Sequence, residues 1–229
     1  MDEKFYHQLL EELKPAKVQL LAVSKTRTPD EIQELHQLGQ RDFGENYVQE
    51  LVDKQPRLPA DIRWHFIGHL QSNKAKYIAP FVYMIQGVDS LKLLLEIDKQ
   101  AKKSNRKILC LLQVHIAKEE TKFGFSEPEL KDLVTALLQS RSSGQGTNVE
   151  IAGLMGMASL TQNPDQIREE FGQLKFFFDQ LKAALPEDPV QTLSMGMSSD
   201  YQIAIEEGST MIRIGTALFG ERNYKKGEA

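Results

Sequence analysis

At 229 residues the chain can bury a sizeable core, and the expectation is one domain spanning residues 1–229. Its 41% hydrophobic and 26% charged residues are ordinary for a globular protein, and a net charge of −4 supplies no basic field to recruit nucleic acid. A single cysteine excludes a disulfide within the chain, and no apolar run approaches membrane-spanning length.

In chain order, residues 1–14 form a charged amphipathic stretch with Phe5, Leu9, Leu10 and Leu13 at helical spacing, and lack the continuous apolar centre of a signal peptide. Short β-rich runs then recur at 18–23, 41–44, 64–68, 82–88, 108–114, 149–154, 192–195 and 211–214. The second and seventh are weak alone and are assigned because helical segments flank them. Helices are expected over 29–38, 47–54, 73–78, 91–103, 127–138, 166–185 and 200–207. Thr28 before Pro29, and Ser126 before Glu127 and Pro128, are helix-starting pairs; Gly39 and Gly208 stand where helices stop. Cys110 lies within an apolar strand and reads as a packed residue. The segment SRSSGQGTN at 140–148 reads as a flexible loop, and 225–229 as a fraying end.

Eight strands alternating with helices make either an open doubly wound sheet or a closed (β/α)8 barrel. A short segment at 216–219, opened by Gly215 and Thr216, resembles the extra helix that completes a phosphate site after strands seven and eight of a barrel. The expected fold is therefore α/β, a single (β/α)8 TIM barrel.

Lys25 follows the apolar run LLAVS, at the carboxyl end of the first strand, where barrels place their working groups. Two readings stand for it: a solvated lysine opening a loop, or a shielded amine able to attack an aldehyde. SMGMSSD at 194–200 and RIGTALFG at 213–220 carry small residues at strand ends, which suit an anion cradle or simply tight loops. Arg213, between Ile212 and Ile214, needs a partner: a buried carboxylate, or a ligand ring nitrogen. Glu45, Asn46, His65, His69 and His115 also sit at strand ends, and His65, between Trp64 and Phe66, reads from the residues alone as a hydrogen-bonded core histidine. Lys122 is either a solvated loop residue or a second amine near the barrel mouth. No histidine pair has metal-site spacing, and no metal is expected.

Taken together, AVSKT at 22–26, FGENYVQE at 43–50, WHFIGHLQSNK at 64–74, KFGF at 122–125, GLMGM at 153–157 and the long run at 194–220 resemble the pyridoxal phosphate homeostasis proteins, also called the proline synthetase co-transcribed family. The resemblance implies a barrel like the N-terminal domain of alanine racemase, a fold-type III pyridoxal-phosphate barrel. It implies pyridoxal 5′-phosphate (PLP) as an imine on Lys25, Arg213 at the pyridine nitrogen, and Ser198, Gly215 and Thr216 on the phosphate. Asn46, His65 and Met195 are implied to line the pocket. His115 departs from the asparagine that relatives often carry after the fifth strand.

The resemblance further implies intracellular PLP homeostasis, by buffering or delivering the cofactor, with PLP-dependent apoenzymes as partners. A non-catalytic carrier is expected because the chain ends soon after the eighth strand, leaving nothing to build the β-rich second domain of alanine racemase. No catalytic residue is therefore assigned. A weak fold-type III racemase, or an aldolase-like barrel with a sugar phosphate on its lysine, are the competing readings. The chain is expected to be cytoplasmic, monomeric and without membrane partners.

Overall fold

Eight strands, β1 (Gln19–Val23), β2 (Asp42–Glu45), β3 (Arg63–Phe66), β4 (Met84–Val88), β5 (Ile108–Gln113), β6 (Val149–Met155), β7 (Thr192–Met197) and β8 (Met211–Ile214), pair in parallel in sequence order. β8 returns to β1, with Gln19 opposite Met211 and Ala22 opposite Ile214, so the sheet is a closed barrel as expected. The computed structural model describes residues 1–119, 123–142 and 147–220. The helices are α1 (Glu3–Ala16), α2 (Pro29–Gln37), α3 (Val48–Lys54), α4 (Ala75–Ile78), α5 (Leu91–Lys103), α6 (Glu127–Ser142), α7 (Pro164–Ala184), α8 (Tyr201–Glu206) and α9 (Thr216–Phe219).

Strand side chains alternate between two environments, as the pleat requires. Leu20, Ala22, Ile212 and Ile214 point outward and join Ile32, Leu35, Phe171 and Leu174 of the helices in one apolar core. Inward positions carry a smaller apolar group, Met84, Leu111, Ala152 and Met155, together with buried polar residues. Cys110 is buried in the outer core.

Local chemistry sets the helix starts. Thr28 accepts from Glu31 N while Glu31 Oε2 accepts from Thr28 N at 2.7 Å, a reciprocal cap that begins α2 at Pro29. Ser126 is fixed in the same sense by Glu129, whose Oε2 accepts from Ser126 N at 2.8 Å. α6 runs on to Ser142, four residues past its expected end at 138, because the polar segment offers no glycine before Gly144. The helix expected over 73–78 is split into a 3₁₀ turn, Ser72–Lys74, and α4. No described helix is long and apolar enough to cross a membrane.

β6 shifts register against β5 between Cys110 and Leu111, where Gly153 sits at φ +148° with its Cα against the Thr192 carbonyl. Gly153→Ala is expected to cost about 3 kcal/mol or more, because the added Cβ combines a forbidden φ with a collision against backbone. Gly39→Ala, also at positive φ (+105°) but with open space around it, is expected to cost about 1 kcal/mol. Urea midpoints of the two variants check the difference.

Candidate functional site

The carboxyl ends of the strands form one rim. β1 leads through Ser24 into Lys25, which is half-buried, and β2 into Asn46; β7 leads into the exposed turn holding Ser198, and β8 into Gly215 and Thr216. The β1 and β8 rims touch: a Cβ on Gly215 would lie 3.3 Å from Val23 Cβ. No side chain caps α9, whose first turn starts at Thr216. The Ser198 turn is fastened by Asp200, whose Oδ1 accepts from Met197 N at 2.6 Å. Asn46 Oδ1 is buried and, among the described residues, without a hydrogen-bond partner. Gly68 lets the β3 rim pack directly on the Asn46 backbone, since any Cβ there would strike the Asn46 carbonyl.

The loop carrying Lys25 is clamped from outside the barrel. Lys54 of α3, itself buried, donates to Ser24 O (2.8 Å), Glu45 Oε1 (2.8 Å) and Glu50 Oε1 (2.6 Å). Ser24 Oγ donates to the same Glu45 oxygen at 2.6 Å, and Glu50 Oε1 accepts from Thr26 N at 2.5 Å. Thr26 needs that hold, because at φ +64° a β-branched residue sits in the left-handed region. Burial pushes the Glu45 carboxyl up to about 6, against the pull of Lys54 and Ser24. Arg27 ties the loop to the other end of the chain: its guanidinium donates to Phe219 O at 3.2 Å and to Gly220 O, and lies over the Phe219 ring.

Arg213 points into the barrel and is 5% exposed. Its Nη1 donates to Ser194 Oγ (2.8 Å) and its Nη2 to Gly156 O (3.0 Å). Neither partner is a carboxylate, so the ion-pair reading of this arginine is not realised. Burial lowers its pKa to about 10, with Asp200 acting in the opposite sense; it remains a cationic donor at neutral pH.

The family profile described as "Alanine racemase, N-terminal domain" matches residues 6–223. A pyridoxal phosphate homeostasis protein of Aquifex aeolicus is 42% identical over 90% of this chain and 87% of its own length. The chain belongs to the pyridoxal phosphate homeostasis protein family. A structure of PipY from Synechococcus elongatus with PLP bound is similar at TM-score 0.82 and 39% identity, covering 95% of this chain and 99% of that one. Alanine racemase from Streptomyces lavendulae, at 15% identity and TM-score 0.66 over 90% of this chain and 56% of its own, shares the fold.

Against the residues that family resemblance nominates, the structure gathers Lys25, Asn46, Ser198, Arg213, Gly215 and Thr216 on or just below one rim, and leaves two elsewhere. Met195 is a correction: Ser194 takes the inward position on β7, so the Met195 side chain turns outward and is fully buried in the outer apolar core. His65 is a second: it points inward but toward the amino ends of the strands, with Nε2 3.0 Å from Asp42 Oδ1 and its ring 5.4 Å from that of Tyr83. There it lines a cavity of about 390 Å³ with Gln19, Arg63, Thr192 and Met211. His115 bonds the Glu119 carbonyl through Nε2 at 2.8 Å. Lys122 and the end segment 225–229 lie outside the described residues, as does 143–146 of the polar loop. Among the described residues no group of three or more His, Cys, Asp or Glu could hold a metal ion.

Sequence reasoning missed Lys54, Ser24, Gln86 and Asp42 as members of these networks. Only Gln86 left a signal, as a lone polar residue inside the apolar run VYMIQGV.

Two measurements test these networks in the family fold. Lys54→Met strands Glu45 in the interior and is expected to cost about 3–5 kcal/mol in urea unfolding, with Glu45→Gln added to it restoring much of the loss. For Asp42, burial pushes the carboxyl up, but hydrogen bonds from Arg63 and His65 outweigh it and hold it at about 2. A depressed carboxylate stabilises the fold above its ordinary pKa, and that contribution disappears as pH falls from about 4 to about 2. Asp42→Asn is therefore expected to remove about 2 kcal/mol of acid-labile stability, read as a flatter stability curve across that window.

Proposed function

We propose that this chain binds pyridoxal 5′-phosphate, held as a Schiff base on Lys25, and serves intracellular PLP homeostasis as a carrier rather than as a catalyst. The observation that carries the reading is the rim itself. It sets a half-buried lysine beside a strand, β8, whose buried arginine is hydrogen-bonded to no carboxylate among the described residues, and next to the end of β2, where a buried amide oxygen, Asn46 Oδ1, has no hydrogen-bond partner among them. Buried polar groups left in that condition fit a polar ligand. The naming of relatives for PLP homeostasis, and the PLP-bound structure of PipY, support the same ligand.

The residues present fit PLP one by one. Lys25 supplies the primary amine, Gly215 and Thr216 open the uncapped α9, and Ser198 lies on the adjoining turn for the phosphate. Arg213 would meet the pyridine nitrogen. Bound PLP supplies an aldehyde that condenses with an amine, and a ring that withdraws electrons strongly only when its nitrogen is protonated. A cationic donor such as Arg213 keeps that nitrogen bare, so the chain's own residues hold the cofactor while weakening the electron sink a catalyst needs. The recipients are apoenzymes that require PLP. The fully buried thiol of Cys110, raised by burial, suits a cytoplasmic setting where no disulfide is called for.

Addition of PLP is expected to give a yellow protein whose visible absorbance is lost in Lys25→Ala. Borohydride reduction and peptide mapping should place the adduct on the peptide carrying Lys25. A colourless wild type, or an adduct mapped to another lysine, overturns the binding reading. Turnover of single amino-acid enantiomers at the ordinary enzyme rate of ~10 s⁻¹ overturns the carrier reading.

A further inference from the structure

Four inward-facing residues on β3, β4, β7 and β8 make a hydrogen-bonded file through the barrel. His65, Gln86 and Ser194 are fully buried and Arg213 nearly so. Arg213 Nη1 donates to Ser194 Oγ at 2.8 Å, and Ser194 Oγ donates to Gln86 Oε1 at 2.7 Å. Gln86 Nε2 meets His65 Nδ1 at 3.0 Å, and His65 Nε2 meets Asp42 Oδ1 at 3.0 Å. Arg63 closes the file, donating to both Asp42 oxygens at 2.7 and 2.5 Å.

One donor-to-acceptor sense fits every link. Guanidinium cannot accept, so Ser194 accepts from Arg213, and its own proton goes to the Gln86 carbonyl oxygen. The amide nitrogen faces His65 Nδ1 and Met211 Sδ, the latter at 3.2 Å. With the amide so placed, Nδ1 is the accepting nitrogen and Nε2 the one that donates to Asp42. The links from Arg213 to Asp42 run in one sense, and bonds aligned in this way polarise one another.

We propose that His65 is a positioning residue for Arg213, setting the guanidinium plane from the opposite end of the barrel through Gln86 and Ser194; this rests on the reading that Arg213 faces the ring nitrogen of PLP. Here the tautomer decides which way the amide faces, the amide decides where the Ser194 proton goes, and the serine then presents its lone pair to Arg213. Without His65 the amide is free to turn, and one of the two acceptors that define the arginine plane loses its orientation.

The test is a double-mutant cycle read in two ways. In the first, wild type, His65→Phe, Ser194→Ala and the double variant are titrated with PLP, and both affinity and the visible band of the adduct are recorded. Each single variant is expected to lose about five- to tenfold in affinity and to move the band in the same direction, while the double variant resembles Ser194→Ala alone. Losses that multiply in the double variant show that His65 acts by general stability and overturn the proposal. In the second, unloaded ¹⁵N-histidine-labelled protein should show His65 with one protonated and one bare ring nitrogen, and Ser194→Ala should shift the bare one. An imidazole signal indifferent to Ser194→Ala overturns the relay, whether or not His65→Phe folds and whether or not PLP binds. Failure of wild type to take up PLP refutes the cofactor reading instead, and the labelled spectra still decide the relay.

Discussion

Pairing of β8 with β1 leaves the sheet without an edge, and the rest of the molecule follows from that closure. A closed ring of eight parallel strands turns one face of every strand toward helices and the other toward a narrow interior that water does not fill. Outward positions answer with a continuous apolar core. Inward positions are harder to fill with polar groups, since each donor and acceptor must find its complement across the ring, from strands distant in sequence. Ser194 and Gln86 stand 108 positions apart, and Arg213 and Gly156 57 apart, yet each pair meets inside the ring.

A second consequence is that the loop after β1 is fastened from the outer side of the wall. The residues that hold it, Glu45, Glu50 and Lys54, lie outside the strands, beneath α3, and reach it through the Ser24 carbonyl and the Thr26 amide. A charge cluster thereby fixes the left-handed turn at Thr26, next to Lys25.

The architecture was legible in the sequence because its signals are local. Strand runs such as 18–23 and 211–214, the Thr28–Pro29 start and the terminal segment 216–219 each depend on a few neighbouring residues, and the helix 91–103 has the bounds that periodicity predicts. Even β2, weak in composition, followed from its flanking helices. Which wall a strand residue faces was less legible. The bulge that follows Ser194 and the choice of inward residue on β7 arise from register against β8, so the SMGM stretch could not reveal that Met195 turns away. For His65 the failure was one of direction along the barrel axis, which is set by Asp42 on a neighbouring strand. The Lys54 clamp was invisible for the same reason: a lysine on an amphipathic helix looks solvated until the strand behind it supplies a buried glutamate.

Arg27 joins the segment after β1 to the carbonyls that end α9. On the proposed reading the segment after β1 grips the cofactor at its formyl carbon, and the opposite end of the four-residue α9 grips its phosphoryl group. Because a single guanidinium fastens them together, the gap between the grips is a dimension of the protein and not of its guest. Selection among B6 vitamers and other aldehydes thereby becomes a matter of molecular span, with the barrel acting as a caliper.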